Sequence, residues 1–329
     1  MTRVVRFHST GGPEVLRIED LEVAAPGAGE VQIDVKALGI NRAEVMYRGG
    51  QYTFEPRFPA SLGYEAAGRV RALGEGVEGF AIGDAVSVIP AFSFSEYGMY
   101  GEVVNAPVHA VVKHPQQLSF EEAAATWMMF VTAYGALVEF GDLKAGETVL
   151  IRAASSSVGL AAIQIANLLG AIPVAVTRTR QKRQALLAAG AVYVISTADD
   201  DLVDEVMNIT RGQGARIAFD PVGGPEASNI LAALSMQGIY FQYGALDTRD
   251  LSVPIMDILG KHLTLRGYEL FEITQDPIRL DRAKCFILDG LRDGKLQPVI
   301  GQVFPFEDIA VAHRFMESNQ QIGKIVVKL

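Results

Sequence analysis

The stretch Thr148–Arg183, TVLIRAASSSVGLAAIQIANLLGAIPVAVTRTRQKR, decides how the rest of the chain reads. It opens on Thr148-Val149-Leu150-Ile151, a β-branched apolar run with the pattern of a fully buried parallel strand. A turn of small residues follows from Ala153 to Gly159. A helix then runs from Leu160 to Leu169 and is stopped by Gly170. A second apolar run, Ile172 to Val176, completes a strand, turn, helix and strand, the pattern of one dinucleotide-binding unit. Such a turn presents free backbone N–H groups and the positive end of a helix, which together suit a pyrophosphate.

The glycine fingerprint of that turn is incomplete. With Gly159 as its last glycine, the first two positions hold Ala154 and Ser156. Small residues still let a phosphate approach the backbone, and serine hydroxyls can donate to it; the turn alone also fits a plain crossover. The second strand ends in Thr177-Arg178-Thr179-Arg180, with Lys182 and Arg183 close behind and no carboxylate at the place where a ribose 2′-OH would need one. Cations at that place would hold a 2′-phosphate, which favours NADPH over NADH. A solvated basic helix start is the bland alternative.

Working outward, the 329 residues are 49% hydrophobic and 20% charged, which suits two domains with sizeable cores. A net charge of −9 and a pI near 5.2 leave no basic stripe outside 178–183, so neither nucleic acid nor an anionic membrane is expected as a partner. No signal-peptide core and no apolar run of spanning length is present, and the expected location is the cytoplasm. Cys285 is the only cysteine, which forbids an intrachain disulfide and a cysteine-rich zinc site; it reads as a packing residue of a helix.

Residues 1–120 are strand-rich. Val31–Val35 alternates apolar and polar as a half-exposed strand does, and Ala66–Val77 and Gly83–Val88 read as further strands, together suggesting a barrel-like domain. Ser119-Phe120-Glu121-Glu122 is a capping box, and helical period continues through Phe140. From Thr148 strands and helices alternate until six strands have been counted, the content of a doubly wound sheet, so the fold class is α/β. The tail from Pro298 returns a strand, a helix and a last strand, Lys324–Lys328, which needs a partner in the first domain.

Several segments in this order carry a resemblance: Gly39-Ile40-Asn41, Arg48-Gly49-Gly50-Gln51-Tyr52, Leu62-Gly63-Tyr64-Glu65-Ala66-Ala67-Gly68, Ala153 to Gly159, Leu187 to Gly190 and Gly323-Lys324-Ile325-Val326. The chain resembles the medium-chain dehydrogenase/reductase superfamily, and within it the zinc-free, quinone-oxidoreductase-like (zeta-crystallin-like) branch. The resemblance implies a GroES-like β-barrel catalytic domain from residues 1–122 and 267–329, a Rossmann domain from 123–266, and a homodimer. The zinc branch carries a cysteine where this chain has Asn41 and a histidine where it has Tyr64. Glu65 alone holds no metal, and His8, His109, His114, His262 and His313 are scattered, so no zinc is expected.

Hydride delivery to an electron-poor acceptor, a quinone or an α,β-unsaturated carbonyl, needs less help than alcohol oxidation. One or two donors at the developing oxyanion suffice. By resemblance these are Tyr52 and Asn41, with Tyr64 a third hydroxyl or an inward-facing structural tyrosine. The same carry-over puts Asn41 and Thr132 near the nicotinamide and Ser156, Ser157 and Val158 at the pyrophosphate. Thr177, Arg178 and Lys182 fall at the adenosine phosphate. Val222, Tyr243, Gly244 and Ala245 lie at strand ends, and Tyr268 closes on the nicotinamide. The chain departs from relatives at Met46 and Glu44, where tyrosine and aspartate are common, and at Ser318-Asn319, where a basic contact is common. The aromatic segment Phe92–Tyr100 reads either as a loop over the pocket mouth or as barrel-edge packing. A 2-enoyl thioester reductase and a NADPH-binding protein without turnover are the rival expectations.

Overall fold

The last strand of the chain pairs with the third, so segments from both end regions share one sheet. In the computed structural model, which describes residues 1–329, the N-terminal part forms β1 (Thr2–Phe7), β2 (Arg17–Leu21), β3 (Glu30–Ile40) and the short helix α1 (Arg42–Arg48). Next come β4 (Ala60–Ser61), β5 (Glu65–Leu73), β6 (Ala85–Val88), β7 (Val103–Pro107), β8 (Val111–Lys113) and α2 (Phe120–Ala124). The capping box is formed as its residues dictate: the Ser119 hydroxyl accepts from the Glu122 amide, and the Glu122 carboxylate accepts from the Ser119 amide.

The central part continues with α3 (Trp127–Tyr134), which runs into a π-helical turn, Gly135–Phe140. The helical period in the sequence gives no sign of this widening. Its cause is Tyr268, whose hydroxyl donates to the Val131 carbonyl at 3.3 Å, an acceptor the Gly135 amide would take in a regular helix. Then come β9 (Thr148–Arg152), α4 (Ser157–Leu168), β10 (Ile172–Thr177), α5 (Arg183–Ala188), β11 (Tyr193–Ser196), α6 (Leu202–Thr210), β12 (Ala215–Asp220), α7 (Ala227–Ala232) and β13 (Leu234–Gln242). The part ends with α8 (Ile255–Lys261), β14 (Thr264–Gly267), α9 (Phe271–Thr274) and α10 (Pro277–Arg292). The tail supplies β15 (Ile300–Pro305), α11 (Ile309–Ser318) and β16 (Lys324–Lys328).

The chain divides into two units, Met1–Met128 with Pro298–Leu329, and Met129–Gln297. In the first, β16 pairs antiparallel with β3, Ile325 opposite Ile40 and Val326 opposite Gly39, within the sheet order β15-β16-β3-β5-β6-β8. The tail rejoins the first unit because β16 is apolar on both faces and finds a buried neighbour there. Gln32, read from the sequence as an outward position, is buried; its amide donates to the Ala24 carbonyl and to Asn105.

In the second unit six strands lie parallel in the order β11-β10-β9-β12-β13-β14. This is the doubly wound arrangement, with the order reversing at β9. All five residues of β9 are buried, as the β-branched run requires. The second unit reaches thirty-one residues (267–297) beyond the 266/267 division drawn from the resemblance. Arg279 and Arg282 of α10 pair with Glu139, Phe286 packs on Tyr134, and Gln297 exchanges two hydrogen bonds with Gln164. Cys285 is exposed on α10, not packed. No helix is long and apolar enough to cross a membrane.

Candidate active site

The nucleotide side is built by the turn after β9. Gly159 is required there: a Cβ would sit 2.6 Å from the Ala154 backbone. The left-handed residue of the turn is Ala153, at φ +50, one place before the fingerprint position assigned from sequence. Ser156 caps α4, its hydroxyl accepting from the Gly159 amide at 3.0 Å. The amides of Ser157 and Val158 lie in the first turn, ahead of the first intrahelical bond, Leu160 N to Ser156 O.

Of the four cations behind β10, two are committed within the chain. Arg180 pairs with Asp199 and Asp200, and Arg183 donates to the Val194 carbonyl. Thus carboxylates do enter this neighbourhood, from the end of β11, and Arg180 neutralises them. Lys182 instead reaches back to the Ser155 hydroxyl at 3.1 Å, which lays its ammonium against the turn that starts α4. Burial lowers its pKa, and so does the neighbouring Arg178 guanidinium, which is exposed. Two like charges beside a helix N-terminus are the arrangement that suits an anion. Thr177 is half-buried at the end of β10.

A buried polar network ties the other strand ends together. Arg152 donates to Asp220 at 3.0 Å and to the Gly223 carbonyl at 2.8 Å. Asp220 also accepts from the amide of Val222 and from the hydroxyl of Tyr240. Tyr243 stacks on Phe219 at 3.9 Å; Gly244 packs on Pro221 and Ala245 is exposed. A cavity of about 320 Å³ opens beside Arg152, walled by Thr197, Leu202, Asn229 and Ile230 together with Asp200 and Glu226. The sequence reading missed these walls, since they come from three loops and helix starts that share no local pattern. Thr132 is buried on α3, and the buried Tyr268 is committed to Val131, so its hydroxyl is used inside this unit.

The first unit holds a second constellation. Asn41 caps α1, and Glu44 reaches back to its amide. The Asn41 side-chain amide donates to Glu44 at 3.0 Å, to Glu65 at 3.1 Å and to the Gly39 carbonyl at 3.3 Å, while its oxygen accepts from Lys324 at 2.6 Å. Lys324 also pairs with Glu65, whose second oxygen accepts from the Met128 amide at 2.7 Å. Lys324, Glu65 and Glu44 are each at most 1% exposed. Gly39 leaves the room: a Cβ there would meet the Ala124 carbonyl at 2.3 Å and the Lys324 side chain at 2.8 Å. Lys324 was quoted in the sequence for resemblance alone. The strand carries a lysine at each end, so nothing in the local sequence marks Lys324 as the buried one.

Burial pushes the Glu44 carboxyl up to about 7, against the pull of Asn41, Lys324 and two backbone amides. Tyr100 hydrogen-bonds Glu44 from the other side. Arg48 donates to His313 Nδ1 at 3.2 Å, so His313 Nε2 carries the proton and donates to the Tyr100 oxygen at 3.3 Å. Burial, and then Arg48, hold that imidazole neutral by lowering its pKa to about 3.

Tyr52 and Tyr64 meet hydroxyl to hydroxyl at 3.3 Å, Tyr52 half-buried and Tyr64 fully buried. Phe94 stacks on Tyr64 at 3.7 Å and on Tyr47 at 4.8 Å. The aromatic segment thus packs into the first unit through Phe92 and Phe94, while Phe92 and Tyr97 also wall a cavity of about 420 Å³. Asn41, Tyr64 and Glu65 do not fit a zinc ion. An amide and a ring-stacked phenol replace two ligands, and Glu65 is saturated by Lys324, Asn41 and Met128. No group of three His, Cys, Asp or Glu is placed to hold a metal.

Comparison with known proteins agrees with this construction. Residues 27–116 match the model of the alcohol dehydrogenase GroES-like domain, and residues 157–279 that of the zinc-binding dehydrogenase. The quinone oxidoreductase of Lama guanicoe is 32% identical over 331 residues, covering 100% of this chain and 98% of its own. The chain belongs to the medium-chain dehydrogenase/reductase superfamily, in its quinone-oxidoreductase-like branch. Among solved structures, Escherichia coli quinone oxidoreductase complexed with NADPH superposes with a TM-score of 0.90 at 30% identity, covering 99% of this chain and 100% of that one. A NAD-dependent alcohol dehydrogenase does so with a TM-score of 0.90 at 32% identity, covering 99% of each. The first unit is therefore the GroES-like domain and the second the Rossmann domain of this family.

Proposed function

We propose that the chain is a zinc-independent, NADPH-dependent oxidoreductase that reduces quinones or α,β-unsaturated carbonyls. The observation that carries the cofactor half is Lys182 laid against the turn at Ser155 with Arg178 beside it, while Arg180 and Arg183 are committed elsewhere. Ser156, Ser157 and Val158 would hold the diphosphate, and Thr177, Arg178 and Lys182 the adenosine 2′-phosphate. Val222, Gly244 and Ala245 at the strand ends, with Thr132 on α3, would frame the remainder. The cavity beside Thr197 and Ile230 suits the adenine base. Bound NADPH supplies the hydride equivalent.

On the acceptor side the residues of the first unit divide the work. Every donor of the Asn41 amide is used within the network, so Asn41 holds Lys324 and Glu65 in place. Donation to the acceptor's developing oxyanion falls to Tyr52, the outer member of the hydroxyl pair, with Tyr64 fixing its orientation. The Lys324 ammonium takes up the Asn41 oxygen and one Glu65 oxygen, and the reaction proceeds without a metal. Initial rates against a quinone, an enone and a crotonyl thioester, followed at the NADPH absorbance, test this. Quinone or enone turnover is expected to fall by about one to three orders of magnitude in Tyr52→Phe with NADPH affinity kept, the scale of one oxyanion donor. Turnover of the thioester alone, or an unchanged rate in Tyr52→Phe, would contradict it.

We also propose that the protein is a homodimer. β14 is an unpaired sheet edge with Leu265 exposed, and Ile255, Met256 and Leu259 of α8 are each more than 60% exposed next to β13.

A further inference from the structure

Donors converge on the buried carboxyl of Glu44. The backbone amide of Asn41 donates to it, and so do the Asn41 side-chain amide at 3.0 Å and the Tyr64 amide at 3.1 Å. The Tyr100 hydroxyl closes the set. A carboxylate offers about four lone-pair sites, so as an anion Glu44 is satisfied. A protonated Glu44 would need an acceptor, and among these partners only the Tyr100 oxygen could serve. It could do so only if the Tyr100 proton turned away towards His313. His313 Nε2 already carries a proton, because Nδ1 faces Arg48 at 3.2 Å and a guanidinium only donates. Arg48 is itself fixed by the Gly11 carbonyl at 3.1 Å and by Glu317. Direction is thus imposed at Arg48 and passed through His313 and Tyr100 to Glu44, all four at most 2% exposed. The other charged groups near the carboxyl, Lys324 of β16 and Glu65 of β5, pair with each other.

We propose that Arg48, His313 and Tyr100 are positioning residues, a one-way hydrogen-bond chain that keeps Glu44 an acceptor and so holds Asn41 and Tyr64 in place beneath Tyr52. The proposal rests on the Tyr52 reading above and gives it a support that starts on α11. Tyr64 is the link, its amide held by Glu44 and its hydroxyl 3.3 Å from that of Tyr52. Burial works against the chain by disfavouring the charge, and brings the Glu44 carboxyl to about 7. At that balance a single hydrogen bond decides the protonation state. A proton on Glu44 would force one donor to turn away, and the hydroxyl pair would lose its placement. Turnover is therefore carried by the ionised form and falls on the acid side.

The test uses the full chain with NADPH and a quinone, reading kcat from pH 5 to pH 10. Wild-type kcat is expected to fall on an acid limb. Tyr100→Phe removes one donor and should move the midpoint of that limb up by about one to two pH units, the worth of one hydrogen bond to a charged group. Its alkaline plateau and its KM for NADPH should match the wild type. His313→Leu frees the Tyr100 hydroxyl to turn and should move the midpoint the same way. Glu44→Gln, which cannot ionise, should lose the limb and stay low throughout. Unmoved midpoints, or an equal loss of kcat at every pH in both variants, would overturn the proposal and mean a merely structural network. Infrared difference spectra against Glu44→Gln, reading the protonated-carboxyl stretch without nucleotide, follow the same titration independently of turnover. A wild type inert towards quinone and enone would overturn the function reading and the positioning role with it. Infrared midpoints unmoved by Tyr100→Phe and His313→Leu would overturn the chain alone.

Discussion

Glu44 shows how much one residue can report about the site. Its carboxyl is desolvated and titrates near 7 in the fold, against an ordinary value of 4.5. The folded chain therefore holds a proton there that the unfolded chain releases above 4.5. Stability from this residue is complete below pH 4.5 and is lost as pH rises through 7, by about 3 kcal/mol. His114 and His313, lowered to about 4 and about 3 by burial, act in the opposite sense, gaining stability as pH rises towards 6.5. The readout is accordingly the difference between two proteins. Urea unfolding at pH 5 and pH 8 should show wild-type stability falling relative to Glu44→Gln as pH rises, whatever uniform cost the substitution carries. Parallel pH profiles would remove Glu44 from that role. Lys324 is subject to the same physics. An ammonium taken fully out of water is tolerable only because Glu65 and Asn41 both receive it, and removing either partner leaves an uncompensated buried charge.

At the scale of elements, the edge of the Rossmann sheet is the part with unfinished business. β14 leaves a row of backbone groups unpaired, and a two-fold axis would let it pair with its own copy while α8 covers α8. Light scattering on the wild type should give twice the chain mass. Met256→Lys with Leu259→Glu should give monomers that keep their helix content, because both side chains point outward in the single chain. A monomeric wild type, or an unaffected dimer in the double variant, would contradict this. The other telling element is α3 with its π-helical turn. Its origin lies more than 130 residues away in Tyr268, so no local window on Val131–Phe140 could have revealed it.

Across the whole molecule, what was legible followed from period and spacing. The run Thr148–Ile151, the turn to Gly159 and Ile172–Val176 were enough to place β9, α4 and β10, and the stranded tail had to return to the first unit to be paired. What was not legible depended on contacts between distant segments. Lys324 meets Asn41 and Glu65 across more than 250 residues, and nothing near Gly323 announces that its ammonium is buried. Asn41 looked like a donor to substrate until its partners were seen to use every N–H it has. The four cations after β10 looked equivalent, yet Asp199 and Asp200 claim Arg180, the Val194 carbonyl claims Arg183, and Lys182 reaches the Ser155 hydroxyl.

The central claim is that a phosphate-bearing nicotinamide nucleotide works here with no metal. It is met most directly by comparing kcat/KM for NADPH and for NADH after exhaustive chelation, in the wild type and in Lys182→Ala. The account predicts at least a tenfold preference for NADPH, on the order of 1.4 kcal/mol or more, undiminished by chelation and largely lost in Lys182→Ala. Equal or better use of NADH by the wild type, or activity that vanishes on chelation and returns with zinc, would contradict it.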